Sequence, residues 1–182
     1  MRERLIVVGN GMVGLRLVEE LLARAPDRYG LTIVGKEPRP AYNRVLLSSL
    51  LAGEVSGEDV RLRDLAWYAE NGVRLILGAQ AERLDPGTGT VRLADGSDLA
   101  FDRLVLATGS QPIRPPMPGL DLSGVLTFRD LADVDAIHAA CVRGRRAVVI
   151  GGGLLGIEAA YGLARAGLAV DLVHLMDRLM ER

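Results

Sequence analysis

Short apolar runs followed by glycines recur along this chain and predict alternating strands and helices. Residues 5–8 read LIVV before GNGMVG, and residues 147–150 read AVVI before GGGLLG. An unbroken apolar run rich in β-branched residues is typical of a strand buried on both faces of a parallel sheet. After the first glycines, apolar residues recur at helical spacing at Val13, Leu17, Val18, Leu21 and Leu22. We therefore predict two strand–loop–helix units.

The same patterns predict the remaining elements. The expected strands cover 31–37, 73–78, 103–110 and 169–174, with the strand at 103–110 buried. The expected helices cover 12–25, 46–51, 64–72, 128–144 and 154–166, and Trp67 is expected in the core. Alternating segments at 79–85, 89–94 and 98–102 are separated by PGTG and DGS, which are strong turn signals.

These elements define the expected fold class. We predict an α/β protein with two Rossmann-like dinucleotide-binding units, built on parallel sheets. A three-stranded antiparallel meander is inserted in the first unit, and the second unit is truncated. The proline-rich stretch QPIRPPMPGL is expected to be a stiff connector. The predicted domains are therefore residues 1–112 and residues 113–182.

Each glycine loop has the residues of a phosphate-binding turn. In the first, Gly9 would make the tight turn, Gly11 would let backbone N–H groups approach a pyrophosphate, and Gly14 would let the helix pack closely. Glu37 follows the second strand near the expected offset of about 20 residues for a carboxylate that binds a ribose hydroxyl. The second loop repeats the spacing with Gly151, Gly153 and Gly156. The alternative is that these glycines serve packing alone.

Composition excludes several functions. The net charge is −1 with no basic stripe, which argues against nucleic-acid binding. No apolar run approaches the roughly 18 residues of a membrane span, and the first strand leaves no room for a signal peptide. We therefore expect a cytoplasmic protein. Cys141 is the only cysteine and is expected to pack as a small hydrophobe. With two histidines and no ligand-spaced cluster, we predict no metal site within this chain.

The order of these motifs resembles the pyridine nucleotide–disulfide oxidoreductase superfamily. It runs from glycine loop and acid through PAYNRVLLS, meander, ATGS and proline connector to GGGLLGIEAA. The stretches AYNRVLLSSLLAG and HLMDRLMER are most similar to the N-terminal part of NAD(P)H-dependent nitrite reductase large subunits. The resemblance covers essentially the whole chain.

The resemblance implies a role for each candidate residue. FAD would be held by Gly9, Gly11 and Gly14, with Glu37 on the adenosine ribose, Arg44 on the phosphates, Ala81 beside adenine, and Thr108 and Gly109 close to the cofactor. NAD(P)H would be held by Gly151, Gly153 and Gly156, with Glu158 at the nicotinamide end. The alternatives are an exposed loop arginine at Arg44 and a solvated acid at Glu158. No residue is expected to act as a catalytic acid or base.

Two positions depart from the family pattern. Ser49 stands where several relatives have a lysine that pairs with the acid matching Glu158. The strand after the second loop ends at His174 rather than at an acid, so the preference between NADH and NADPH stays open. His174 could instead gain charge beside a phosphate.

The implied function is hydride transfer from NAD(P)H to FAD, with electrons passed onward. In a complete nitrite reductase an iron–sulfur cluster and siroheme would lie in a missing C-terminal part and reduce nitrite to ammonia. We expect this chain to be a fragment that is inactive alone. The alternatives are a rubredoxin- or ferredoxin-type NAD(P)H reductase and a non-catalytic nucleotide-binding module. The electron acceptor stays open, as does a second copy or a small subunit as partner.

Overall fold

A computed structural model describes residues 2–181 and divides the chain into two units. The first unit contains the residues up to Asn43 together with Arg61–Ser110. The second contains Arg44–Val60 together with the residues from Gln111 onward. The segment 44–60 therefore groups with residues far along the chain, and no pattern in the sequence signals this grouping.

The helices and strands follow the predicted order. The strands are β1 (Glu3–Val8), β2 (Tyr29–Val34), β3 (Arg74–Ile76), β4 (Ala81–Asp85), β5 (Thr90–Leu93), β6 (Asp98–Ala100), β7 (Arg103–Leu106), β8 (Arg146–Ile150) and β9 (Ala169–Val173). The helices are α1 (Met12–Arg24), α2 (Leu47–Leu51), α3 (Leu65–Glu70), α4 (Leu131–Cys141) and α5 (Leu154–Arg165), and a 3₁₀ turn covers Arg44–Leu46.

The first unit has three layers because β1 is apolar on both faces. Its sheet is parallel, with the order β3-β2-β1-β7. Leu5 and Val7 pack in one cluster with Leu15 and Val18 of α1. Ile6 and Val8 pack on the other side in a cluster with residues of the meander, Val91 and Leu93. The predicted double-sided burial of this strand is confirmed.

The meander is also confirmed. Strands β4, β5 and β6 form a separate antiparallel sheet in that order, and the turns contain Gly89 and Gly96, both at positive φ. In the second unit β8 and β9 pair in parallel. A second core there joins Leu51 of α2, Ile137 of α4 and Ala159 of α5, with Cys141 packed against it. The predicted packing role of Cys141 is confirmed, and burial raises the pKa of its thiol.

Several details of the prediction were wrong. The side chain of Tyr68, rather than that of Trp67, is fully buried in α3, and Trp67 covers the core from its edge. Val13 is 74% exposed, and Leu15 is buried in its place. Strand β7 is only half-buried because it is the edge of its sheet among the described residues, and Leu106 is 63% exposed. Strand β2 ends at Val34, so Glu37 lies in the following turn.

Candidate nucleotide-binding loops

The first glycine loop joins β1 to α1, and two of its glycines are required by the backbone. Gly9 has φ +118°, a conformation that residues with a Cβ rarely adopt, and its N–H donates to the carbonyl of Val34 at 2.8 Å. A Cβ at Gly9 would collide with the carbonyl oxygen of Ala107. A Cβ at Gly14 would collide with the carbonyl oxygen of Gly9. These contacts hold the start of α1 against the end of β1.

Gly11 is different because a Cβ there would meet no protein atom within 4 Å. Packing therefore does not require this glycine. It is the N-cap of α1, where glycine supplies no side-chain oxygen to the first N–H groups of the helix. A helix N-terminus with open N–H groups attracts anions. The open space over Gly11 fits the approach of a dinucleotide pyrophosphate, so the residues of this loop are compatible with the expected FAD.

The turn after β2 lies beside the strand that leads to the meander. Glu37 is half-buried, and one of its carboxylate oxygens accepts a hydrogen bond from the Tyr42 hydroxyl at 2.6 Å. Its backbone carbonyl accepts from the N–H of Gly78 at 3.1 Å. Ala81 begins β4 three residues later and is partly buried. The structure thus brings Glu37 close to the chain that leads into Ala81.

Thr108 and Gly109 follow β7 and lie next to the first loop. The backbone N of Thr108 is 3.0 Å from the position that a Cβ of Gly9 would take. Both residues are exposed, and Gly109 has φ +72°. The ATG segment and the first glycine loop therefore share one edge of the parallel sheet, where ligands of such sheets bind.

The second loop joins β8 to α5 and repeats this geometry. Gly151 has φ +117°, and its N–H donates to the carbonyl of Val173 at 2.9 Å, as the N–H of Gly9 does to Val34. A Cβ at Gly156 would collide with the carbonyl oxygen of Gly151. Gly153 is the N-cap of α5, and a Cβ there would meet nothing within 4 Å. The repeat predicted from the sequence therefore extends to the hydrogen bonds and contacts of each loop.

Arg44 and Glu158 both lie in the second unit, in a cleft of about 230 Å³ whose lining also includes Ser48, Phe128 and Leu154. The guanidinium of Arg44 donates to the backbone carbonyl of Arg129 at 3.1 Å. Glu158 is half-buried on α5 and accepts a hydrogen bond from the Ser48 hydroxyl. Glu158 is therefore not a freely solvated acid, and a serine serves as its partner.

Sequence reasoning did not identify three of these contacts. The Ser48 hydroxyl, the Tyr42 hydroxyl and the His174 ring all have partners, at Glu158, Glu37 and the second loop respectively. Tyr42 and Glu37 are close in sequence, so their contact could have been predicted from the motif. Ser48 and Glu158 are 110 residues apart, and no local pattern links them.

The described residues contain neither a metal-binding cluster nor a helix suited to cross a membrane. Residues 2–181 contain no group of three or more histidine, cysteine or acidic side chains placed to hold a metal ion. No helix among them has both the length and the apolar character needed to cross a membrane.

The fold and its two loops define a class of dinucleotide-binding α/β proteins, and comparisons with known proteins identify the family. The family model of the pyridine nucleotide-disulphide oxidoreductases matches residues 3–182, so the chain belongs to this family. Membership implies an oxidoreductase that binds FAD and NAD(P)H.

Individual relatives show which members of this family the chain resembles. The chain is 45% identical, over its whole length, to 22% of a nitrite reductase [NAD(P)H] of Bacillus subtilis (strain 168). It is 39% identical, again over its whole length, to 24% of an assimilatory nitrate reductase electron transfer subunit of the same organism. The putidaredoxin reductase–putidaredoxin complex aligns with 99% of the chain and 44% of the solved chain, at 31% identity and a TM-score of 0.87. The chain thus spans less than a quarter of these two curated relatives.

Proposed function

We propose that this chain is the nucleotide-binding part of an FAD-dependent NAD(P)H oxidoreductase of the nitrite reductase type. The first glycine loop binds FAD, and the second binds NAD(P)H. The observation that carries the proposal is the repeated loop, in which Gly11 and Gly153 alone among the six motif glycines combine ordinary φ with open space for a Cβ.

The chemistry comes from the cofactors. Bound FAD would supply the chemistry of accepting a hydride from NAD(P)H and passing electrons onward. The residues of this chain bind and orient the two nucleotides. The N–H groups at the starts of α1 and α5 bind pyrophosphates, Glu37 binds a ribose hydroxyl, and Ala81, Thr108 and Gly109 border the FAD. Holding each nucleotide in one orientation would supply effective concentration, with no proton transfer by a side chain.

Arg44 and Glu158 have distinct proposed roles. Arg44 supplies a guanidinium for the FAD phosphates, since its forked donors match phosphate oxygens. Glu158 contacts the nicotinamide end, and its hydrogen-bond partner is the hydroxyl of Ser48, the residue before Ser49, which stands where relatives have a lysine. The hydroxyl donor orients the Glu158 carboxylate without adding a positive charge.

The proposed final reaction is taken from the relatives that are named nitrite reductases. In this proposal the final acceptor is nitrite, and its reduction to ammonia would need an iron–sulfur and siroheme centre held by residues other than these 182. A ferredoxin-type reductase is the second candidate, because the putidaredoxin reductase complex aligns with nearly the whole chain. Anaerobic reduction of the FAD-loaded full-length protein by NADH, followed by offering nitrite or an oxidised ferredoxin, separates the two: reoxidation by nitrite supports the first candidate, and reoxidation by ferredoxin alone supports the second.

The binding proposal is tested with Gly11→Val. The valine side chain would fill the space through which the pyrophosphate reaches the backbone. Because hydrogen bonds to charged groups contribute about 1.5–3 kcal/mol, we expect FAD affinity to fall at least tenfold. The measurement is a titration followed by quenching of flavin fluorescence.

The matched control is Gly30→Val. Gly30 lies in β2, and a Cβ there also meets nothing within 4 Å. This control adds the same side chain to the same unit away from the loop, so FAD affinity should stay within about twofold of the parent. Equal FAD affinity of the parent and Gly11→Val would overturn the assignment of the first loop.

A further inference from the structure

In each unit a residue of the glycine loop packs against the first residue after the neighbouring strand. One of these two residues is a glycine and the other is larger, and the two units place the glycine at opposite positions. In the first unit the loop residue is Asn10 and the residue after β2 is Gly35, where a Cβ would lie 2.8 Å from the Cβ of Asn10. In the second unit the loop residue is Gly152 and the residue after β9 is His174. There a Cβ at Gly152 would collide with the Leu179 side chain and would lie 2.8 Å from Cγ of His174. The large side chain thus comes from the loop in one unit and from the strand end in the other.

The side chain holds the loop by hydrogen bonds in both units. Asn10 donates from its amide nitrogen to the carbonyl of Arg39 at 3.3 Å and accepts from the Tyr68 hydroxyl at 3.4 Å. In the second unit the N–H of Gly152 donates to Nδ1 of His174 at 3.0 Å. The carbonyl of Gly152 accepts from the N–H of Met180 at 2.9 Å. Both backbone polar groups of this buried glycine are therefore bonded within the protein.

The direction of the Gly152 bond fixes the form of the His174 ring. A nitrogen that accepts an N–H cannot carry a proton, so the ring is neutral with its proton on Nε2. Nε2 is buried and has no hydrogen-bond partner among the described residues. A second proton on Nδ1 would point at the N–H of Gly152 inside this packing. The ring thus acts on the loop as an acceptor and as a packing surface, which replaces our expectation of a charged group beside a phosphate.

We propose that His174 is a positioning residue of the second nucleotide site, where its Nδ1 fixes Gly152 and so presents Gly153 and the start of α5 to the pyrophosphate. This inference rests on the proposed NAD(P)H role of the second loop. Because His174 holds the N–H of Gly152, that group is withdrawn from the nucleotide. The next N–H groups, at the N-terminal end of α5, are left to bind it.

The physical reason is preorganisation. Without the acceptor, the buried N–H of Gly152 loses its partner, and the loop shifts toward conformations that satisfy it elsewhere. Binding then has to restore the productive conformation, which weakens affinity. The effect is confined to the second loop, because the first is held by Asn10.

The test compares His174→Leu with His174→Asn. Leucine keeps apolar bulk but removes the acceptor, whereas Oδ1 of asparagine can take the place of Nδ1. We expect His174→Leu to weaken NADH binding about five- to tenfold, and His174→Asn to stay within about twofold of the parent. FAD affinity should be unchanged in both. His174→Ala is a second variant without an acceptor if His174→Leu does not fold.

A spectroscopic measurement reports the bond itself. The chain has two histidines, so a long-range ¹H–¹⁵N spectrum of the rings contains two sets of signals, which His138→Gln assigns. His138 lies in α4, with Nε2 3.2 Å from the carbonyl of Leu51, and its substitution should leave NADH affinity unchanged. We expect the His174 ring to be neutral with an unprotonated Nδ1. We also expect the Gly152 amide signal to move in His174→Leu and to remain near its parent position in His174→Asn.

The outcomes separate the two claims. A proton on Nδ1 of His174, or equal NADH affinity of the parent and His174→Leu, would overturn the positioning role alone. Failure of the parent chain to bind NADH would contradict the proposed function of the second loop, and the positioning role would fail with it.

Discussion

At Gly14 and Gly156 an added methyl group would run into backbone rather than into side chains. In each case the obstructing atom is the carbonyl oxygen of the first glycine of the same loop. A backbone carbonyl cannot rotate away as a side chain does, and the N–H of each first glycine is held by the carbonyl at the end of the neighbouring strand. The third glycine of each motif is therefore a packing requirement, whereas the middle glycine is free of one.

This difference gives a stability prediction. Gly14→Ala should lower the free energy of unfolding by about 2–3 kcal/mol, because overpacking against backbone outweighs the better helix propensity of alanine. Gly11→Ala, at the open N-cap, should cost less than about 1 kcal/mol. Urea unfolding of the two variants checks this. Equal losses would mean that the close approach of α1 to the loop is absent.

At the scale of the element, two helices begin at an aspartate that binds the first turn. The carboxylate of Asp64 accepts from the N–H of Trp67 at 2.9 Å, and that of Asp130 accepts from the N–H of Asp133 at 2.9 Å. Helices α1 and α5 begin at glycine instead. The helices that follow glycine loops thus keep open N-termini, while α3 and α4 are closed by their own side chains.

The cap of α4 is testable. Asp130→Ala should lower the free energy of unfolding by about 1 kcal/mol, because the N–H of Asp133 loses its acceptor. Asp130→Asn retains an acceptor oxygen and should cost much less. Thermal or urea unfolding measures both. A loss in Asp130→Asn as large as that in Asp130→Ala would indicate that charge, rather than capping, stabilises this helix.

An ion pair joins Arg4, the second residue of β1, to Asp102, the residue before β7. Asp102 accepts from the backbone N–H of Arg4 at 2.7 Å and from its guanidinium at 2.7 and 3.0 Å. These hydrogen bonds hold the pKa of Asp102 at about 2, below the ordinary value of 3.8. Because the pKa is lowered, the ion pair stabilises the fold fully at pH values above the ordinary pKa of 3.8. This contribution is lost as the pH falls toward about 2.

We therefore expect Asp102→Asn to lower the urea midpoint at neutral pH. The difference from the parent should shrink as the pH falls below about 4 and become small near pH 2. Glu82→Gln removes an exposed carboxylate of β4 and serves as the control. A difference that stays constant over this range would show that the charge on Asp102 is not the source of the stabilisation.

At the scale of the whole chain, the sequence predicts features set by neighbouring residues but not those set by distant contacts. The strands, the meander and both loops were predictable, because glycine spacing, apolar runs and turn dipeptides act on neighbouring residues. The grouping of 44–60 with the second unit was not, because it depends on contacts such as that between Leu51 and His138, which are 87 residues apart. Tyr68 and Trp67 are adjacent aromatics, so only packing could decide which one is buried.

The central claim is that the two loops are separate nucleotide sites, and paired titrations test it most directly. FAD and NADH are titrated by calorimetry onto the parent, Gly11→Val and Gly153→Val. The middle glycines are equivalent, since a Cβ at either meets no protein atom within 4 Å. We predict that Gly11→Val weakens FAD binding at least tenfold and spares NADH, and that Gly153→Val does the reverse. The account would be contradicted if either variant weakened the binding of FAD and NADH equally. It would also be contradicted if neither variant weakened the binding of either nucleotide.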